Sequence, residues 1–203
     1  MSAGKAGVPD ALIVLHGYGF LAEYFLRHFD FLPEDFPDLC VYAPEGLSRF
    51  YKEGFYGQVG ASWMTKEDRN AEIQDQQTYL DLLAAHIYAL NPKTRIHVLG
   101  FSQGASTAWR WIDNGNIKPE SCVFWSGEIP NTFSETVTKK LTRIPLFHVH
   151  ASADEFIPVE MAIAQYQKLL AHFSNIQSLP FEGTHTLNKD TLRKIYSEVL
   201  GLA

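Results

Sequence analysis

The residues with chemistry to offer begin with Ser102, in the run Gly100-Phe101-Ser102-Gln103-Gly104. A serine with glycine two positions to either side suits a sharp strand-to-helix turn. The glycines relieve the clash a Cβ would cause there, and the hydroxyl stays exposed. That hydroxyl attacks poorly unless a base takes its proton. The chain has eight histidines. His16, His97, His148 and His150 fall within or at the ends of apolar runs that read as strands. His86 and His172 fall on helix patterns, and His28 in an aromatic-rich helical stretch. Only His185, in FEGTHT, lies in a loop after a strand and near the C-terminal end of the sequence, so elimination selects it as the base.

An imidazole acting as a base needs an acid to fix its tautomer and orientation. Asp113 lies about three turns down the helix that starts at Ser102, on the wrong side of the sheet edge. Asp154, in ASADEFIP directly after the run LFHVHA, opens at the same edge as the serine, with Glu155 as the fallback. Two backbone N–H donors must then face the oxygen on which charge develops. The Gln103 amide, first in a helix whose leading N–H groups are unpaired, is one. The second comes from the loop Leu15-His16-Gly17-Tyr18-Gly19, where glycines let backbone approach a ligand closely; the Tyr18 N–H is the choice.

The elements that must hold these groups are legible as alternation. Residues 11–15, 39–43, Arg95–Phe101, 122–125 and Leu146–Ala151 are near-continuous apolar runs, as in parallel strands covered on both faces. Residues 177–181 form a weaker strand whose proline favours an edge. Between them, residues 70–90 place Ile73, Leu80, Leu83, Ile87 and Leu90 on one helical stripe with Gln76 as the polar exception. Thr65 and Asp68 have capping spacing before that helix, and Pro92 stops it. A helix after Ser102 runs to a stop at Gly115. Further stripes are Ala162, Tyr166, Leu169, Leu170, Phe173, and Leu192, Ile195, Tyr196, Val199. Residues 44–64 read as a long aromatic, glycine-rich loop. Strand–helix alternation predicts one α/β domain over residues 1–203.

Ser, Asp and His in that order, each after a successive strand, follow the triad order of α/β-hydrolases. LHGYG, YAPEG, GFSQGA, SGEIP, SADEFIP and FEGTHTL together resemble the phospholipase/carboxylesterase group of that superfamily, which includes the acyl-protein thioesterases. The resemblance implies a mostly parallel central sheet of about six to seven strands and a triad of Ser102, Asp154 and His185. It also implies oxyanion donors at Tyr18 and Gln103. The sequence departs from the family pattern where HGLGDTG reads HGYGFLA, and where Ala105 and Ala151 replace glycines. The segment where related hydrolases carry a cap, residues 127–143, has only 17 residues. An open cleft walled by Phe20, Trp63 and Phe156 is expected, suited to short or medium acyl groups.

Composition narrows the partners. A 46% hydrophobic content with 20% charged residues supports a sizeable core. The 17 Lys+Arg and 23 Asp+Glu leave a net charge of −6 with no basic block, which argues against nucleic acid. No apolar run approaches the ~20 residues of a membrane span, and no secretory leader is legible. Cys40 and Cys122, each in a strand-like run, are expected as reduced structural thiols in a cytoplasmic protein. His148 and His150 share a strand face at a spacing metal sites use, yet no carboxylate or cysteine cluster accompanies them. A buried, hydrogen-bonded pair is expected, with no metal and no cofactor. Trp109, Trp111 and Trp125 could bury in the core or in a homodimer, which stays open. The expected activity is hydrolysis of a small-molecule ester or thioester. The rivals are a non-catalytic ligand-binding module on the same scaffold and a peptidase or lyase.

Overall fold

The computed structural model describes residues 1–201. In chain order the elements are β1 (Ser2–Ala3), β2 (Asp10–Leu15), α1 (Ala22–Leu26), α2 (Leu32–Asp35), β3 (Leu39–Tyr42), β4 (Ser48–Tyr51) and β5 (Val59–Ser62). They continue with α3 (Arg69–Leu90), β6 (Arg95–Phe101), α4 (Gln103–Asn114), β7 (Ser121–Trp125), α5 (Glu135–Leu141), β8 (Leu146–Ala151), α6 (Val159–Leu170), β9 (Ile176–Phe181) and α7 (Lys189–Val199).

Seven strands form one sheet in the order β1-β3-β2-β6-β7-β8-β9. All pairings are parallel except that of β1 on β3. The apolar runs are continuous because both faces are covered. On one face Ile13, Val98, Phe124 and Leu146 pack under α3, α4, α5 and α6. On the other Leu12, Leu99, Trp125 and Phe147 pack with Phe25 of α1 and with Leu192, Ile195 and Tyr196 of α7. The sheet grows to one side from β2 to β3 and to the other from β2 to β6. At this switch point the two loops diverge and open a crevice at the carboxyl ends of the strands. The loop after β2 and the turn after β6 therefore face each other across it. Between β7 and β8 the only regular element is α5, whose N-terminus Ser134 caps by accepting from the Val137 amide at 3.1 Å. Among the described residues no large cap domain covers the crevice.

Three expectations need correction. Residues 44–64 contain an antiparallel hairpin, β4 on β5 in the register Ser48↔Ser62 to Tyr51↔Val59. Asp68 adopts a left-handed conformation, φ 43°, and caps nothing with its side chain. Thr65 instead gives its amide and hydroxyl to the Glu72 carboxylate, at 2.5 and 3.1 Å. Leu90 and Leu170, placed on buried stripes, are exposed, since each ends its helix where the sheet no longer covers it. Trp109, Trp111 and Trp125 are all fully buried in the core, which removes them as a dimer surface. Cys40 and Cys122 are free and buried, and burial pushes both thiols up.

Candidate active site

Ser102 stands between β6 and α4 with φ 54° and ψ −119°, a backbone conformation that costs a non-glycine residue energy. Packing imposes it. The Ser102 amide is held by the Trp125 carbonyl at 2.9 Å, and Ala105 already donates back to the Ser102 carbonyl at 3.0 Å. A side chain at position 104 would stand 2.0 Å from the Leu15 carbonyl oxygen, so glycine there lets α4 press directly on the end of β2.

Asp154 and His185 are brought together by the loops after β8 and β9. His185 Nδ1 lies 2.8 and 2.9 Å from the two Asp154 carboxylate oxygens. Asp154 Oδ1 also accepts from the amides of Phe156 and Ile157, each at 2.9 Å. Burial pushes the Asp154 carboxyl up, but the bond from His185 and these two amides outweigh it and hold it below the usual carboxylate range. The acid is therefore ionised and pointed at the imidazole. Glu155, the fallback acid, instead accepts from the His185 backbone amide at 3.1 Å, so it steadies the loop and not the ring. Asp113 is bound to Ser134 far from the imidazole.

The His185 ring packs on Phe101, the residue before the serine, with centroids 4.8 Å apart, and Phe156 flanks it at 4.9 Å. With Nδ1 committed to Asp154, Nε2 is the nitrogen left for chemistry. Among the described residues Ser102 Oγ makes no hydrogen bond to it. Such contacts are often long before substrate binds and tighten on binding.

The loop after β2 crosses directly in front of the serine. At Gly17 an added Cβ would meet the Ser102 Cβ at 3.1 Å, so the backbone itself forms this wall. Neither the Tyr18 nor the Gln103 amide donates a hydrogen bond among the described residues, which leaves both N–H groups available. The Tyr18 side chain turns outward and stacks on Phe50 of β4 at 4.8 Å.

This loop is anchored by a buried polar network that composition and motif do not disclose. His16 Nδ1 donates to the Gly17 carbonyl at 2.7 Å, and its Nε2 accepts from the Gly46 amide at 2.9 Å. Burial pushes the His16 imidazole down, so it stays neutral and can fill both roles. Trp63 Nε1 donates to the His16 carbonyl at 2.8 Å. The Gln103 side chain accepts from the Trp63 amide at 3.1 Å and donates to the Met64 carbonyl at 2.9 Å. Trp63 is 1% exposed. It is a strut under the loop and not a wall of the cleft, because its indole N–H finds a partner only inside. Phe20 lines a cavity beside the β2 loop, and Phe156, 68% exposed, stands against the His185 ring.

His148 and His150 are buried with ring centroids 5.6 Å apart. Only the first is hydrogen-bonded, its Nε2 accepting from the Gln165 amide at 3.1 Å, while Nδ1 of each ring lacks a partner. The expectation of a buried, hydrogen-bonded pair therefore holds for burial, and for hydrogen bonding at one ring nitrogen of His148.

A family model described as Phospholipase/Carboxylesterase matches residues 2–200. Among solved structures, acyl-protein thioesterase 2 of Zea mays superposes with a TM-score of 0.76 at 20% identity, over 99% of this chain and 97% of that one. Esterase PE8 gives 0.74 at 20% identity, over 100% and 98%. A phospholipase/carboxylesterase from Dyadobacter fermentans DSM 18053 gives 0.62 at 17%, over 98% and 95%. At such identities the likeness is one of fold. No curated protein matches the chain. The family match spans both loops that carry the acid and the imidazole, the strained serine turn, and every strand of the main sheet: the chain belongs to the phospholipase/carboxylesterase family and is a hydrolase.

Proposed function

We propose that the chain is a serine hydrolase that cleaves carboxylic esters or thioesters of small to medium acyl groups through an acyl-enzyme on Ser102. His185 Nε2 takes the Ser102 proton as Oγ attacks the carbonyl carbon. The Tyr18 and Gln103 amides face the resulting oxyanion. The imidazolium then gives its proton to the leaving alkoxide or thiolate, and the acyl group stays on Oγ. Water, deprotonated by the same nitrogen, attacks the acyl-enzyme and restores the serine. Asp154 holds the Nδ1–H tautomer and stabilises the imidazolium. The observation that carries the proposal is the 2.8 Å contact between His185 Nδ1 and Asp154, beside a serine strained to φ 54°.

All proposed groups come from one chain, so the chemistry needs no second copy. We place the protein in the cytoplasm on the strength of two free, buried cysteines. No helix among the described residues is long and apolar enough to cross a membrane. The test is a panel of 4-nitrophenyl acetate, butyrate and palmitate, an acyl thioester and aminoacyl amides, run on wild type beside Ser102→Ala. Turnover of acetate or butyrate that Ser102→Ala abolishes supports the proposal. Full activity in Ser102→Ala overturns it. Preference for amides would favour a peptidase, and preference for palmitate would overturn the short-acyl part.

A further inference from the structure

A cavity of about 580 Å³ opens from Gly19 and Phe20, the two residues after the Tyr18 amide, and runs between the β2 loop and the hairpin. The hairpin is fastened to that loop by backbone. Gly19 donates to the Ala61 carbonyl at 2.8 Å and Ala61 donates to the Phe20 carbonyl at 3.1 Å. A Cβ at Gly60 would stand 2.6 Å from the Gly19 carbonyl oxygen, so glycine allows this contact. The cavity thus begins one residue past Tyr18, and its Phe20 wall meets Phe101, the ring that packs on His185, at 6.2 Å.

Its walls are mostly apolar, from Phe20, Leu21 and Val59, and its polar side chains include Lys52 and Gln58. These two face each other at the turn end of the hairpin, where the Lys52 amide donates to the Gln58 carbonyl at 2.8 Å. The Lys52 stem lies over Gly19, whose added Cβ would meet its Cε at 3.2 Å. In a chain with 23 Asp+Glu against 17 Lys+Arg, this lining holds an ammonium and no carboxylate. Among the described residues Lys52 forms no ion pair. An apolar groove with one orienting cation is the usual form of a site for an amphipathic ligand.

In the proposed mechanism the leaving group departs beside His185 Nε2, and Phe156 flanks that ring at 4.9 Å. The groove past Tyr18 is left for the acyl part. Resting on the hydrolase reading above, we infer that this groove takes an acyl chain ending in a carboxylate, which pairs with Lys52 Nζ while the methylenes lie on Phe20 and Val59. One ammonium beside one amide suits a monoanion, which separates this ligand class from phosphates, normally met by several cations or a guanidinium fork.

The test compares kcat/KM for mono-4-nitrophenyl adipate with that for 4-nitrophenyl hexanoate, which has the same chain without the charge. The ratio falls about fivefold in Lys52→Met, the scale of a partly solvated ion pair, and further in Lys52→Glu. Lys52→Arg restores it. In wild type the ratio declines as salt is raised. A ratio that Lys52→Met and Lys52→Glu leave unmoved overturns the inference while the esterase reading stands. Failure of wild type to hydrolyse either ester overturns both.

Discussion

The two sides of the crevice are held by different physics. On the β2 side, the loop that carries Tyr18 is locked by buried side chains. His16, Trp63 and Gln103 form a chain of hydrogen bonds from the hairpin base to the first residue of α4. On the β8–β9 side, Asp154 and His185 depend on their own short loops, with Asp154 gripped by amides two and three residues ahead and His185 gripped by Asp154. The first arrangement fixes the proposed backbone donors, which must not move as charge develops. The second fixes the proposed acid–base pair, a set of side chains that must handle a proton. A structural fault should therefore act through stability on the first side and through chemistry on the second.

The largest expected effect breaks the second side. Asp154→Asn keeps the shape but removes the charge and the preference for the Nδ1–H tautomer. It should lower kcat by about 10⁴ with the circular dichroism spectrum unchanged. A loss under tenfold would assign the acid elsewhere. On the first side, Gln103→Ala keeps the backbone amide and loses the side-chain struts to Trp63 and Met64. It should lower kcat about ten- to a hundredfold and cost about 1–3 kcal/mol of stability, measured by urea titration. A kinetic loss with no change in stability would mean that the network does not hold the loop.

How much of this was legible differs between the same two regions. The bounds Arg95–Phe101 and Leu146–Ala151 agree with β6 and β8 because strands buried on both faces are written as apolar runs. The sequence singles out His185 as the one histidine outside a strand or helix pattern, and the structure sets its ring against Asp154. The hairpin was not legible. Its strands are four residues each, and β4 alternates between half-buried and exposed, so no apolar run marks it. Trp63 was misplaced for a related reason: an indole in a glycine-rich segment has the same sequence signature whether it lines a cleft or braces a loop. The buried bond to the His16 carbonyl decides between them. Lys52 carried no signal, since its meaning comes from the hairpin that folds it over Gly19.

A smaller effect concerns the buried histidines behind the site. Burial, with His150 alongside, pushes the His148 imidazole down to about 4, against 6.5 for the free group. The unfolded chain then binds more protons than the folded one between those values, so stability falls as pH drops from 6.5 toward 4. This group alone contributes a slope of at most about 1.4 kcal/mol per pH unit. His148→Gln should flatten urea-denaturation midpoints over that window. An unchanged slope would exclude His148 as the source. Smallest of all, Glu155→Gln should change kcat less than about fivefold. It removes a charge from a loop contact and leaves the Asp154–His185 pair intact.

The central claim is that Ser102 is the nucleophile and that His185, held by Asp154, activates it. The most direct measurement is peptide mapping by mass spectrometry after reaction with a fluorophosphonate, on wild type, Ser102→Ala and His185→Ala. One adduct on Ser102 is expected in wild type, none in Ser102→Ala, and labelling slowed by at least about 10³ in His185→Ala. An adduct on another serine, or labelling of His185→Ala at the wild-type rate, would contradict it.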